Sequence, residues 1–123
     1  MKALTVDDSP TIRHIVAKTL KPLGFEMFQA GDGLEALKVI EEHGKMDLIV
    51  LDWNMPNMDG YEFLVEVRKR EDLADMKIMM LTTENQRHFI IKAIMAGANE
   101  YLMKPFSSDM LIEKVKLLFD INN

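Results

Sequence analysis

Three carboxylates, a threonine hydroxyl and a lysine occupy one kind of position in this 123-residue chain. Asp7-Asp8, Asp52, Thr82-Thr83 and Lys104-Pro105 each close, or directly follow, an apolar run that reads as a β-strand. In a parallel sheet the carboxyl ends of the strands share one edge, so these groups converge where open α/β sheets bind their ligands. Carboxylates brought together repel one another and raise each other's pKa unless a cation neutralises them. Oxygen donors without His or Cys favour a hard ion, and Mg²⁺ takes one or two carboxylates together with waters and phosphate. A lysine ammonium and a threonine hydroxyl in the same crevice suit the oxygens of a phosphoryl group. The reaction that uses the whole set is attack by a carboxylate on phosphorus, giving an aspartyl phosphate.

The elements that must position these groups can be read from the pattern. Leu48-Ile49-Val50-Leu51 is apolar without alternation, as expected of a central parallel strand buried on both faces, and it ends on Asp52. Met55-Pro56 and Asp59-Gly60 then predict a loop, since proline fixes φ and glycine supplies backbone conformations that other residues avoid. Further strands are expected at Ala3–Val6, Glu26–Ala30 (the weakest), Ile78–Thr82 and Tyr101–Met103. Helix starts lie between them. Ser9-Pro10 offers an N-cap followed by a first-turn proline, Asp32/Glu35 and Asp59/Glu62 have capping-box spacing, and Ser107 with Asp109 opens the last helix. Gly44 and Gly97 fit helix ends, and Pro22 predicts that the first helix kinks or stops between about Leu20 and Leu23. Alternating strands and helices imply an α/β fold: a five-stranded parallel sheet with five helices on both faces, joined by right-handed crossovers.

Composition excludes other classes. The length suits one domain over 1–123, with 48% apolar and 28% charged residues as in an ordinary globule. A net charge of −5 with no Lys/Arg run argues against nucleic acid, and the absence of cysteine removes disulfide and thiolate chemistry. The N-terminus turns acidic too early for a signal peptide, and no apolar run approaches the ~18 residues of a membrane span. A cytoplasmic location without membrane contact is expected. Trp53, the single tryptophan, adjoins Asp52 and is expected to report on that site by fluorescence.

In their order along the chain, Asp7-Asp8, Asp52, Thr82 and Lys104-Pro105 resemble the receiver domain of two-component response regulators, from Leu4 to about Leu118. The run Asp52-Trp53-Asn54-Met55-Pro56-Asn57-Met58-Asp59-Gly60 is most similar to the single-domain chemotaxis regulators of that family. The resemblance implies a flavodoxin-like sheet of order 2-1-3-4-5. It implies that Asp52 accepts a phosphoryl group from a histidine kinase. Asp8, Asp52 and the backbone carbonyl of Asn54 would bind Mg²⁺, with Asp7 assisting through water. Lys104 would pair with phosphoryl oxygens, Thr82 would bond one of them, Tyr101 would be the aromatic switch, and the Lys104–Pro105 bond would be cis. Asn54 and Glu84, two residues beyond Asp52 and Thr82, are placed to orient an in-line water and so to set the dephosphorylation rate.

With the chain closing at Asn123, no separate output domain is expected and signalling must proceed by protein binding. Apolar residues of the fourth and fifth helices spread beyond the roughly 100° stripe a surface helix needs. Arg87, Ile90, Ile94, Tyr101 and Lys114 are the expected partner face, for a downstream target such as the flagellar motor switch or a second copy of the chain in a weak phosphorylation-dependent dimer. A role as phosphorelay intermediate is the alternative within the class. From another class, a flavodoxin-like electron carrier lacks a Ser/Thr/Gly-rich phosphate loop after the first strand. A phosphatase would want an Asp-x-Asp pair where this chain has Asp52 and Asn54.

Overall fold

The computed structural model describes residues 1–120. Strands β1 (Lys2–Val6), β2 (Glu26–Ala30), β3 (Leu48–Leu51), β4 (Lys77–Thr82) and β5 (Glu100–Met103) alternate with helices α1 (Pro10–Leu20), α2 (Gly33–His43), α3 (Gly60–Arg68), α4 (Arg87–Ala96) and α5 (Ser108–Phe119). All strand pairs are parallel and the sheet order is β2-β1-β3-β4-β5.

Successive side chains of a strand point to opposite faces, so each central strand feeds two cores. On one face Leu4, Val6, Ile49, Leu51, Ile78 and Met80 meet Ala36 and Ile40 of α2, Phe63, Leu64 and Val67 of α3 and Ala93 of α4. On the other, Ala3, Leu48, Val50, Met79 and Leu81 meet Val16 and Leu20 of α1 and Leu111 and Val115 of α5. All four residues of β3 are buried. At about 1.5–3 kcal/mol for each fully buried aliphatic side chain, this strand anchors both layers. A charge at Val50 would be fatal to the fold. Edge strand β2 leaves Glu26 and Gln29 exposed, which explains its weak apolar signal.

The expected caps form. Ser9 accepts from the amide of Ile12, Asp32 from Glu35 and Ser107 from Met110. Only Asp59/Glu62 closes a full capping box; Glu35 instead accepts the amide of Gly31. α1 stops at Leu20, and Pro22 sits in a following 3₁₀ turn, Lys21–Leu23, that ends on left-handed Gly24. Gly60 departs from expectation. It is the first residue of α3 and has no left-handed φ; the positive φ in this loop, 65°, belongs to Asn57. Glycine is needed at position 60 for closeness, because a Cβ there would lie 2.0 Å from the carbonyl oxygen of Asp52. No helix of the described residues is long and apolar enough to cross a membrane.

Candidate functional site

β1 and β3 lie side by side with Val6 opposite Leu51, so the residues that follow them, Asp7-Asp8 and Asp52, emerge together. Each of these three aspartates offers a carboxylate oxygen, and these atoms lie within 4.8 Å of one another. Asp7 and Asp52 are buried and Asp8 is exposed. Hydrogen bonds fix the two buried ones. Asp7 Oδ1 accepts the Ser9 amide at 2.9 Å, and Asp52 Oδ1 accepts the Trp53 amide at 2.8 Å. Behind them, the Asp7 carbonyl accepts from the Arg13 guanidinium at 2.7 Å.

Lys104 arrives from the end of β5, before a cis bond to Pro105. Its ammonium donates to Asp7 Oδ2 at 2.7 Å and to Asp52 Oδ2 at 3.2 Å. Burial pushes the Asp52 carboxyl above its ordinary value; Lys104 opposes this, the Asp7 charge reinforces it, and Thr82 opposes it more weakly. Burial alone would lower the Lys104 pKa, but the hydrogen bond that its ammonium donates to Asp7 and the charges of Asp52 and Asp7 outweigh it and hold the ammonium protonated. One cation thus faces three carboxylates, and the cluster retains negative charge for a second cation to neutralise. A hard divalent ion fits this all-oxygen donor set.

Glu84 is the node of the outer lip. Its amide donates to the Thr82 hydroxyl at 3.3 Å, its carboxylate accepts from Asn54 Nδ2 at 2.7 Å, and its carbonyl accepts from the Tyr101 hydroxyl at 2.7 Å. Asn54 on the loop after β3 and Glu84 on the loop after β4 are therefore joined across the crevice. The Tyr101 ring is half-buried against the core, and burial, with the charges of Glu84 and Asp52, pushes its phenol up to about 12.

Across residues 3–116 the chain matches the family model described as response regulator receiver domain. The chain belongs to that family. This receiver domain is 44% identical over 121 residues to chemotaxis protein CheY-3 of Vibrio cholerae, covering 98% of this chain and 92% of the relative. It is 37% identical over 124 residues to chemotaxis protein CheY1 of Helicobacter pylori, covering 100% of both. The solved structure of chemotaxis response regulator CheY4 of Vibrio cholerae superposes with a TM-score of 0.87 at 38% identity, covering 95% of this chain and 97% of that one. The receiver domain is homologous to the CheY chemotaxis regulators, and such a domain is a signalling regulator rather than a classical enzyme.

Of the residues named from sequence, Asp7, Asp8, Asp52, Asn54, Thr82, Glu84, Tyr101 and Lys104 of the receiver domain gather at one sheet edge. The expected partner face is less uniform. Arg87 and Ile94 are exposed, Ile94 by 47%, whereas Ile90, Tyr101 and Lys114 are half-buried, and Lys114 pairs with Glu100 at 3.1 Å. Ile91 (45%) and Met95 (83%) are also exposed on α4. Sequence reasoning missed the contact of Gly60 with Asp52 and the bond from Arg13. The Asp-Gly pair was visible, but it signals a turn as readily as a close approach.

Proposed function

We propose that this receiver domain takes a phosphoryl group from the phosphohistidine of a kinase onto Asp52 and thereby switches its binding to a downstream protein. An Asp52 carboxylate oxygen forms the new bond to phosphorus as the bond from phosphorus to the imidazole nitrogen breaks, and the histidine departs with the electron pair. Asp8, Asp52 and the carbonyl of Asn54 would hold Mg²⁺, with Asp7 acting through water. Bound there, the ion would offset charge on the transferring group. Lys104 leaves its contacts with the carboxylates to pair with phosphoryl oxygens, and the Thr82 hydroxyl bonds one of them. Asn54 and Glu84 orient the water that later removes the group. Tyr101, held on the Glu84 carbonyl, registers the movement of Thr82.

The observation that carries this reading is the convergence of Asp7, Asp8 and Asp52 within 4.8 Å with Lys104 bonded to two of them. An arrangement of excess carboxylate against one lysine is suited to an incoming group that brings its own charge and metal. A role in chemotaxis is supported by the names and identities of the relatives, and the output we propose is binding of a motor component through Arg87, Ile90, Ile94, Tyr101 and Lys114. The test is capture of binding proteins with and without Mg²⁺ and beryllofluoride, a phosphoryl mimic. A partner retained only with the mimic, and lost from Asp52→Asn, is expected. Capture that ignores the mimic would contradict a phosphorylation-controlled switch.

A further inference from the structure

Helix α4 is fastened differently at its two ends. Its C-terminal end closes on left-handed Gly97, whose carbonyl accepts from Arg68 Nε at 3.1 Å. The same guanidinium donates to the carbonyl of Met76 at 2.8 Å and to Asn99 Oδ1 at 3.0 Å, and Asn99 Oδ1 also accepts the amide of Ile78 at 2.8 Å. α3, the start of β4 and the turn after α4 are thus locked together. At the other end the cap residue, Gln86, makes no side-chain capping bond. Aromatic contacts stand there instead. Phe89 meets the Trp53 ring edge-on at 5.0 Å and 80°, Tyr61 of α3 stacks on Trp53 at 5.5 Å and 12°, and Lys92 Nζ sits 4.3 Å from the Tyr61 ring centre. Offset and edge-on ring pairs and a cation over a ring are specific geometries, lost when one member shifts.

Trp53 also follows Asp52 directly, and its amide donates to the Asp52 carboxylate at 2.8 Å. When Asp52 becomes an acyl phosphate its charge moves onto the phosphoryl group. The Trp53 amide then no longer bonds an ionised oxygen, and a charge-assisted bond becomes an ordinary one. Trp53 is 6% exposed and its indole is clasped on two sides, so the strand end cannot readjust without disturbing α3 or α4. Of these, α3 is held against Asp52 and Trp53 by Gly60, whose amide donates to the Trp53 carbonyl at 2.8 Å. The uncapped end of α4 is the freer partner.

We infer that Trp53, clasped between Tyr61 and Phe89, is a positioning residue that carries the change at Asp52 to the N-terminal half of α4, while Arg68 holds the other end as a pivot. The inference rests on Asp52 being the phosphoryl acceptor. The link meets α4 on its α3 side, whereas Tyr101 reaches the Glu84 carbonyl from β5, so the two act on one helix end from different directions.

The test is amide hydrogen exchange across α4 in the full chain, with and without Mg²⁺ and beryllofluoride, in wild type, Phe89→Leu, Phe89→Tyr and Tyr61→Leu, beside labelling of each by acetyl phosphate. In wild type the mimic should alter exchange in residues 87–91 far more than in 94–96. Phe89→Leu and Tyr61→Leu should lose most of that response while taking label as wild type does, and Phe89→Tyr should retain it. An undiminished response in both leucine variants overturns the aromatic link, as does an equal loss in Phe89→Leu and Phe89→Tyr. A wild type that neither takes label nor responds to the mimic overturns the acceptor assignment itself, and the link with it.

Discussion

The Lys104 ammonium lies 2.7 Å from Asp7 and is nearer to that carboxylate than to Asp52, at 3.2 Å. Asp7 is the nearer partner of the lysine, and Asp52 shares it. Lys104 is nonetheless the counter-charge for both buried groups. Replacing it by Met, of similar length, leaves two buried carboxylates without a cation. Breaking a buried pair in this way costs about 3 kcal/mol. Urea denaturation of Lys104→Met in chelator should show that loss, and millimolar Mg²⁺ should recover more stability in the variant than in wild type. Equal stability of the two proteins in chelator would mean that the lysine is not the counter-charge.

Asp52 has the opposite character. Burial, opposed by Lys104 and reinforced by Asp7, holds its carboxyl above the ordinary value near 3.8. The folded chain therefore binds that proton more tightly than the unfolded chain. Folding is opposed once pH rises through the folded pKa, and this opposition disappears below about 3.8, where both states are protonated. Asp52→Asn keeps an acceptor for the Trp53 amide and leaves Lys104 its bond to Asp7. In chelator the variant should be more stable than wild type at pH 7, and the difference should vanish on acidification. A pH-independent difference would show that ionisation of Asp52 is not its source.

Gly60→Ala tests the close approach of α3. The new methyl would lie 2.0 Å from the Asp52 carbonyl oxygen and 3.0 Å from Trp53 Cα, both backbone atoms that cannot swing aside. Overpacking of this kind costs about 2–3 kcal/mol or more. Denaturant midpoints should fall accordingly, and Trp53 fluorescence should change in the folded variant. A neutral substitution would contradict the packing described.

Asn54 and Glu84 are joined at 2.7 Å across the crevice, and in the proposed reaction they orient the water that attacks phosphorus in line. Asn54→Met removes that polarity, and Glu84→Arg reverses the charge. Both should slow loss of the phosphoryl group after the donor is removed, by roughly tenfold or more, within the range that general acid–base and positioning groups contribute. Unchanged decay in both variants would remove these residues from the reaction.

Much of this arrangement can be read in the sequence because strand ends in a parallel sheet fall on one edge. Once Leu48–Leu51 is recognised as doubly buried, Asp52 has a place, and Asp7-Asp8, Thr82 and Lys104 follow by the same rule. What could not be read depends on direction and distance in three dimensions. The indole of Trp53 adjoins the site in sequence but turns into the core against Tyr61 and Phe89. Arg68 bonds backbone carbonyls of remote segments, and such acceptors leave no mark on residue type. On α4 the apolar excess was visible, yet which residues remain exposed (Ile91, Ile94 and Met95 rather than Ile90) follows from how the helix is rotated against α3.

The most direct test of the central claim is to locate the phosphoryl group. Wild type and Asp52→Asn are incubated with Mg²⁺ and acetyl phosphate, their intact masses are compared, and the modified peptide is mapped. The account predicts a single phosphoryl group on wild type, carried by the peptide containing Asp52, and none on the variant. Equal incorporation by Asp52→Asn, or a group mapped to Asp7, Asp8 or Thr82, would contradict it.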